Sequence, residues 1–260
     1  MLTRDISSTT LGSPSADKTM ASDPKLPVEA KLIDLAALRQ NSVLFSALSD
    51  EDAWELIGLS RQESVSARQT LFQEGQAGDS LHIVLEGRLK VSLLSEEGKE
   101  AILSILGAGE VFGEMSLFDG EPRSATVTAM EPCRFLVLRR QSVLPFLEKR
   151  VPVMLELIAE MSRRLRATNT LVGNLSFLNL SARLARILLN LIQQYGKVTP
   201  QGIVIGLKLS QEELGHLVGV SRESVNRQVR HWVEAGLIDY DRGTLVVLNS
   251  DALFRAALTS

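Results

Sequence analysis

Apolar positions change their spacing along this chain, and each change marks a different kind of element. From Leu32 to Ser60 they recur at helical intervals, and Asp50–Trp54 has the character of a helix start. From Gln62 to Leu138 the runs are short and alternating: Leu81–Leu85, Leu89–Leu94, Ala101–Leu106, Ser124–Ala129 and Arg134–Leu138. Gly75, Gly78, Gly87, Gly98, Gly109 and Gly120 fall between them. Short strands separated by glycine turns predict a small antiparallel roll or barrel. A helical period returns from about Val151 to Leu175. There Met154, Ile158, Met161, Leu165, Thr168, Val172 and Leu175 stand at alternating steps of four and three. Such a heptad seam predicts a helix that pairs with the same helix of a second copy. Thr168 is its one polar member, with Asn169 beside it, and Arg163, Arg164 and Arg166 flank the seam, expected to face solvent.

Beyond the seam, Ser181–Gln194 reads as an amphipathic helix with Leu184, Ile187, Leu188 and Leu191 on one face. Ser210-Gln211-Glu212-Glu213 has capping-box spacing, in which the serine and the glutamate satisfy each other's backbone N–H. Leu214, Leu217 and Val218 supply an apolar face, and Gly219 breaks the helix. Ser221 then caps a second helix, with Val225, Val229, Trp232 and Val233 facing inward. Its other face carries Arg222, Glu223, Asn226, Arg227 and Arg230. Two short helices across a glycine turn make a helix-turn-helix. Gly236–Ile238 and Leu245–Val247 flank Asp241-Arg242-Gly243, which predicts a hairpin wing. A recognition helix sets its first residues against base edges in the major groove. Arg222 and Arg227 suit guanine O6 and N7, and Glu223 suits cytosine N4. Ser221 and Arg230 suit phosphates, which position a helix without reading sequence, and Ser210 is a further candidate for DNA binding.

The chain has 260 residues, 45% apolar and 23% charged, enough for two domains of a globular protein. Its net charge of −3 conceals an asymmetry. Residues 61–133 carry 6 Lys and Arg against 12 Asp and Glu, whereas residues 134–260 carry 17 against 10. Only the second half has the charge expected of a part that meets a polyanion. Residues 1–30, rich in Ser, Thr, Asp and Pro, read as a disordered tail. No apolar run reaches the roughly 18 residues of a membrane span, and no signal peptide is visible, so a cytoplasmic protein is expected. Cys133 stands alone, expected as a buried small hydrophobe, and three histidines do not make a zinc site. His82 is expected as a strand residue. No cofactor or metal is implied.

Phe112–Thr126 reads FGEMSLFDGEPRSAT. It places Glu114 and Arg123 on either side of a glycine-containing turn, followed by the small Ser124 and Ala125. A cyclic phosphodiester asks for a fixed guanidinium, a hydroxyl donor and backbone that can come close. A carboxylate nearby can accept from a ribose hydroxyl, and Gly113 and Gly120 permit backbone that a side chain would block. The stretch resembles the phosphate-binding cassette of cyclic-nucleotide-binding domains. With MSRRL, VGNLSFLNLSARLARILLNL and SQEELGHLVGVSRESVNRQV in order behind it, residues 35–250 resemble the cyclic AMP receptor protein (catabolite activator) family.

The resemblance implies an α+β chain: a cyclic-nucleotide-binding β-roll at 31–150, a dimerisation helix and hinge at 151–177, and a winged helix-turn-helix at 178–250. Residues 251–260 would be a C-terminal tail. It implies that Gly113 and Glu114 hold the ribose, that Arg123 and Ser124, with Ala125 behind them, hold the cyclic phosphate, and that Thr168 of one subunit with Asn169 of the other meets the adenine. Asn169 is a departure, since well-known members carry serine there. The resemblance also implies a homodimer, gated by cyclic AMP as allosteric ligand, that binds a palindromic TGTGA-type operator in double-stranded DNA and contacts RNA polymerase. Cyclic GMP, cyclic di-GMP or no nucleotide stay open as alternatives for the effector. A nucleotide-sensing subunit of an enzyme would leave the helix-turn-helix unexplained, and no activated nucleophile or paired carboxylates suggest catalysis.

Overall fold

The computed structural model describes residues 33–259, so the tail expected at 1–30 lies outside the described residues. Three helices come first: α1 (Leu35–Asn41), α2 (Val43–Ser46) and α3 (Asp50–Leu59). The Asp34 and Ser49 side chains cap α1 and α3 by accepting from the N–H of Ala37 and Asp52, donors that a helix start leaves without partners. Eight strands follow: β1 (Arg61–Val65), β2 (Thr70–Phe72), β3 (Ser80–Glu86), β4 (Leu89–Leu94), β5 (Glu100–Leu106), β6 (Val111–Phe112), β7 (Thr126–Ala129) and β8 (Cys133–Arg139). A short helix, α4 (Glu114–Asp119), interrupts them after β6.

The strands form two antiparallel sheets, ordered β1-β8-β3-β6 and β2-β7-β4-β5. Alternation turns one face of each inward, and Val84, Leu89, Leu106, Phe112, Val127 and Cys133 fill the interior. On the first sheet's other face Leu81, Leu136 and Leu138 pack against Phe45 and Leu56 of the leading helices and Leu147 of α5 (Arg140–Glu148). His82 is buried in β3, stacked on Phe112 with ring centroids 4.8 Å apart. Cys133 is buried and free.

The heptad segment is one continuous 27-residue helix, α6 (Val151–Phe177), with Pro152 in its first turn, where the missing N–H is harmless. The rest is α7 (Leu180–Tyr195), β9 (Gly196–Thr199), β10 (Gly202–Ile205), α8 (Gln211–Val218), α9 (Arg222–Glu234), β11 (Ile238–Asp241), β12 (Thr244–Val247) and α10 (Ser250–Leu258). The wing hairpin belongs to a four-stranded sheet, β11-β12-β10-β9, larger than the local pattern predicts. Residues 251–260, expected as a tail, need correction. Most of them form α10, capped by Asn249 and held on the domain by buried Leu253 and Ala257. Val233 also departs from expectation, for it is 39% exposed while Val225, Val229 and Trp232 are buried. Ile102 of β5 sits in the same core as Leu214 and Leu217 of α8, so the roll and the C-terminal domain share apolar packing.

Candidate nucleotide pocket and DNA-reading helix

A cavity of about 290 Å³ opens between the second sheet of the roll, α4 and α6. Gly113, Glu114, Arg123, Ser124, Ala125 and Thr168 all line it. Leu93 and Leu103 of the β4–β5 hairpin, with Val91, make an apolar wall. Gly113 adopts the left-handed conformation at φ 74°, and a Cβ there would stand 2.5 Å from Nη1 of Arg123. Glycine is therefore required both by the turn and by the arginine behind it.

Arg123 is the centre of this pocket. It is 5% exposed, and its Nη1 donates to the carbonyls of Ser80 (3.0 Å) and Gly113 (2.9 Å). Its Nη2 donates to the Ser80 hydroxyl at 3.0 Å, and the Phe72 ring lies 4.2 Å from the guanidinium carbon. The carboxylates whose charge it feels, Asp79 and Glu114, pair instead with Arg139 and Arg164. Burial pushes the guanidinium below its usual value, with those two charges opposing. Among the described residues, Ser124 offers its hydroxyl to the Met115 sulfur at 3.4 Å, a weak acceptor.

Arg164, expected to face solvent, reaches back into the pocket. Its Nη1 donates to Glu114 at 3.0 Å, its Nη2 to the Val111 carbonyl, and its Nε to Glu160 at 3.1 Å. The clue in the sequence was its place one turn before Thr168, on the same face of the helix. Thr168 presently donates to the Arg164 carbonyl at 3.0 Å. Asn169 is exposed and does not line the cavity of its own chain. The remaining seam residues form a stripe on α6, with Ile158, Leu165, Val172 and Leu175 exposed and Met154 packed on the roll. Met161 is half-buried.

The C-terminal domain presents the helix-turn-helix. Ser210 caps α8 in a capping box with Glu213, whose carboxylate takes the Ser210 N–H at 2.7 Å. Gly219, at φ 71°, ends α8, and Ser221 caps α9 by accepting from Ser224 N–H. Arg222, Glu223, Arg227 and Arg230 are exposed along α9. Hydrogen bonds from its own N–H and from Ser221 hold the Glu223 carboxyl below the usual carboxylate range. It is thus a hydrogen-bond acceptor at neutral pH. The wing turns on Arg242 (φ 45°) and Gly243 (φ 89°) between the paired Asp241 and Thr244, the two-residue loop typical of tight hairpins. Ser210 and Arg222 also line a cleft of about 1040 Å³ against Arg68 and Lys90 of the roll. Among the described residues no His, Cys, Asp and Glu cluster is placed to hold a metal, and no helix is long and apolar enough to cross a membrane.

Comparison with known proteins agrees with both domains. Residues 62–150 match the cyclic nucleotide-binding domain model, and residues 182–256 match the Crp-like helix-turn-helix domain model. The chain is 32% identical over 188 residues to the CRP-like cAMP-activated global transcriptional regulator of Mycobacterium tuberculosis, covering 72% of this chain and 84% of that protein. It is 36% identical over 183 residues to the cAMP-activated global transcriptional regulator CRP of Escherichia coli, covering 70% and 86%. In fold it resembles the c-di-GMP responsive global regulator CLP of Xanthomonas campestris, with a TM-score of 0.69 and 24% identity over 76% of this chain and 99% of that one. With a nucleotide-binding roll and a DNA-reading domain both matched, the chain belongs to the CRP family of DNA-binding transcription regulators.

Proposed function

We propose that this chain is a cytoplasmic homodimer that binds cyclic AMP in the roll and, so loaded, binds a palindromic TGTGA-type operator. The observation that carries the nucleotide is Arg123, a buried guanidinium with three neutral acceptors and no carboxylate of its own. A buried charge lacking an ion partner is costly by several kcal/mol unless an anion arrives. Ser124 and Glu114 stand ready beside it for a phosphate oxygen and a sugar hydroxyl. One arginine free of a carboxylate partner, with Arg164 already paired to Glu114, and one cavity of about 290 Å³ suit a single phosphodiester and a single base. Cyclic di-GMP, with two of each, suits them less well.

The mechanism follows from where the pocket ends. Thr168 lies on α6, whose exposed apolar stripe would pair with that of a second copy, bringing the partner's Asn169 to the base. A nucleotide filling the pocket then orders α6 at the dimer axis and sets the two α9 helices about 34–36 Å apart, one turn of DNA. Such a switch from 1:99 to 99:1 requires about 5.5 kcal/mol of differential affinity. Arg222, Glu223 and Arg227 would read bases, while Ser210, Ser221 and Arg230 hold phosphates. Contact with RNA polymerase would follow from binding beside a promoter.

Calorimetric titration with cyclic AMP, cyclic GMP and cyclic di-GMP tests the effector. Micromolar or tighter binding of cyclic AMP, with the others weaker, is the expected result; preference for another nucleotide would overturn it. A mobility shift with a TGTGA palindrome, with and without the bound nucleotide, tests the operator.

A further inference from the structure

A guanidinium has five N–H donors in one plane, and here three are already engaged. Ser80 alone takes two of them, one from each terminal nitrogen, through its carbonyl and its hydroxyl. That double grip occupies the end of the fork. The Gly113 carbonyl takes the second Nη1 hydrogen. What remains is Nε–H and one Nη2–H, which lie together along the side of the guanidinium, parallel and in the spacing that two oxygens of one phosphate match. Nε is buried and has no hydrogen-bond partner among the described residues. A buried donor left unpaired in a native chain calls for an explanation.

The plane is held as well as the edge. Phe72 lies on the guanidinium at 4.2 Å, and a Cβ at Gly78 would overlap Nε and stand 2.5 Å from Cζ, so the backbone at Gly78 also packs closely against the plane. We propose that Ser80 is a positioning residue for the effector: by gripping the end of the Arg123 fork it selects the Nε–Nη2 edge as the one that takes the cyclic phosphate. The inference rests on the reading of Arg123 as the phosphate ligand and adds a residue that lies 43 positions from it, on β3, outside the cassette. Without the Ser80 hydroxyl, Arg123 keeps its charge and two carbonyl partners but loses the bond that sets its rotation, so each bound phosphate must first order it.

The experiment compares Ser80→Thr with Ser80→Val in the full chain, since the two substitutions are nearly equal in size and only threonine keeps the hydroxyl. Affinity for cyclic AMP is read by calorimetry and the phosphorus resonance of bound nucleotide by NMR. Binding about tenfold weaker in Ser80→Val, with a displaced phosphorus resonance and a melting temperature near that of Ser80→Thr, is expected. Ser80→Thr should bind as the parent does. Equal affinity of the two variants, or equal loss in both, would overturn the role of Ser80. An Arg123→Gln control separates the two readings. If it binds as the parent does, or if the parent binds no cyclic nucleotide, the phosphate site itself fails and Ser80 with it. If Arg123→Gln loses binding while Ser80→Val does not, only the inference about Ser80 fails.

Discussion

Glu100 of β5 and His216 of α8 meet at 3.0 Å, joining the roll to the DNA-reading domain through one carboxylate. Lys90 of β4 holds the same carboxylate at 2.6 Å. Ile102, two residues along β5, enters the core of the reading domain, while Leu103 and Ser104 line the nucleotide cavity. One strand therefore borders both the candidate nucleotide cavity and the reading domain, and the register shift opposite Val91 and Ser92, not simple alternation, lets the adjacent Leu103 and Ser104 both reach the cavity.

Glu100→Gln should loosen that junction. Burial raises the Glu100 carboxyl, but hydrogen bonding to Lys90 and the charges of Lys90 and His216 outweigh it, leaving the group below its ordinary value. A carboxylate depressed in the folded chain stabilises above its unfolded pKa and loses that contribution as pH falls through the folded value. The substitution should cost about 1 kcal/mol at pH 7, shrinking toward zero as pH falls below about 4. Urea melts at both pH values measure it.

His82 should make the chain acid-sensitive over a higher range. Burial, and then the charge of Arg123, push its pKa down to about 3. The unfolded chain binds a proton below about pH 6.5 that the folded chain refuses, so stability falls as pH drops from there toward the folded value. His82→Phe, among Phe72, Phe112 and Phe135, should remove on the order of 2 kcal/mol of that loss between pH 6.5 and 4.5. A slope of stability with pH unchanged in the variant would contradict the assignment.

Arg164→Ala strips Glu114 of its partner in the candidate pocket. Nucleotide affinity should fall about tenfold, and a double-mutant cycle with Glu114→Gln should return a coupling on the order of 1 kcal/mol. Additive losses would mean the two residues act separately.

On α9, Arg222→Ala and Arg227→Ala should each weaken operator binding by about 1–3 kcal/mol and relax selectivity at one base pair. Arg230→Ala should weaken all DNA alike and flatten the salt dependence. Competition shifts with single-base operator variants distinguish the two patterns.

Leu165→Glu places a charge in the middle of the exposed stripe of α6, where Leu165 is 63% exposed in the single chain. Sedimentation should change from a dimer to a monomer, because a seam position tolerates a buried carboxylate poorly. A dimer of unchanged strength would place the interface elsewhere.

The parts legible in the sequence are those with short-range causes. Ser210 and Glu213 are three residues apart, so the capping box, and the helix start it marks, could be read directly. The strands β3, β4, β5, β7 and β8 alternate strongly enough to be seen. β1 could not be, since Arg61–Val65 reads RQESV and is a strand only because β8 supplies its hydrogen bonds across the register Arg61↔Val137 to Val65↔Cys133. β9 and β10 likewise exist as parts of a sheet completed by β12, more than 40 positions later.

Residue types and local spacing thus determined which elements form, which face of α9 carries charge, and that a glycine-bounded turn carrying Glu114, Arg123 and Ser124 stands between β6 and β7. Tertiary structure alone decided where the long cations point. Arg164 turned from solvent to Glu114, 50 positions earlier, and Arg123 found Ser80 on a different strand. The reason is physical: a helix or strand is set by backbone bonds and apolar period within a few residues. A buried guanidinium settles wherever folding gathers enough oxygen acceptors, and those come from elements the chain brings together only in three dimensions.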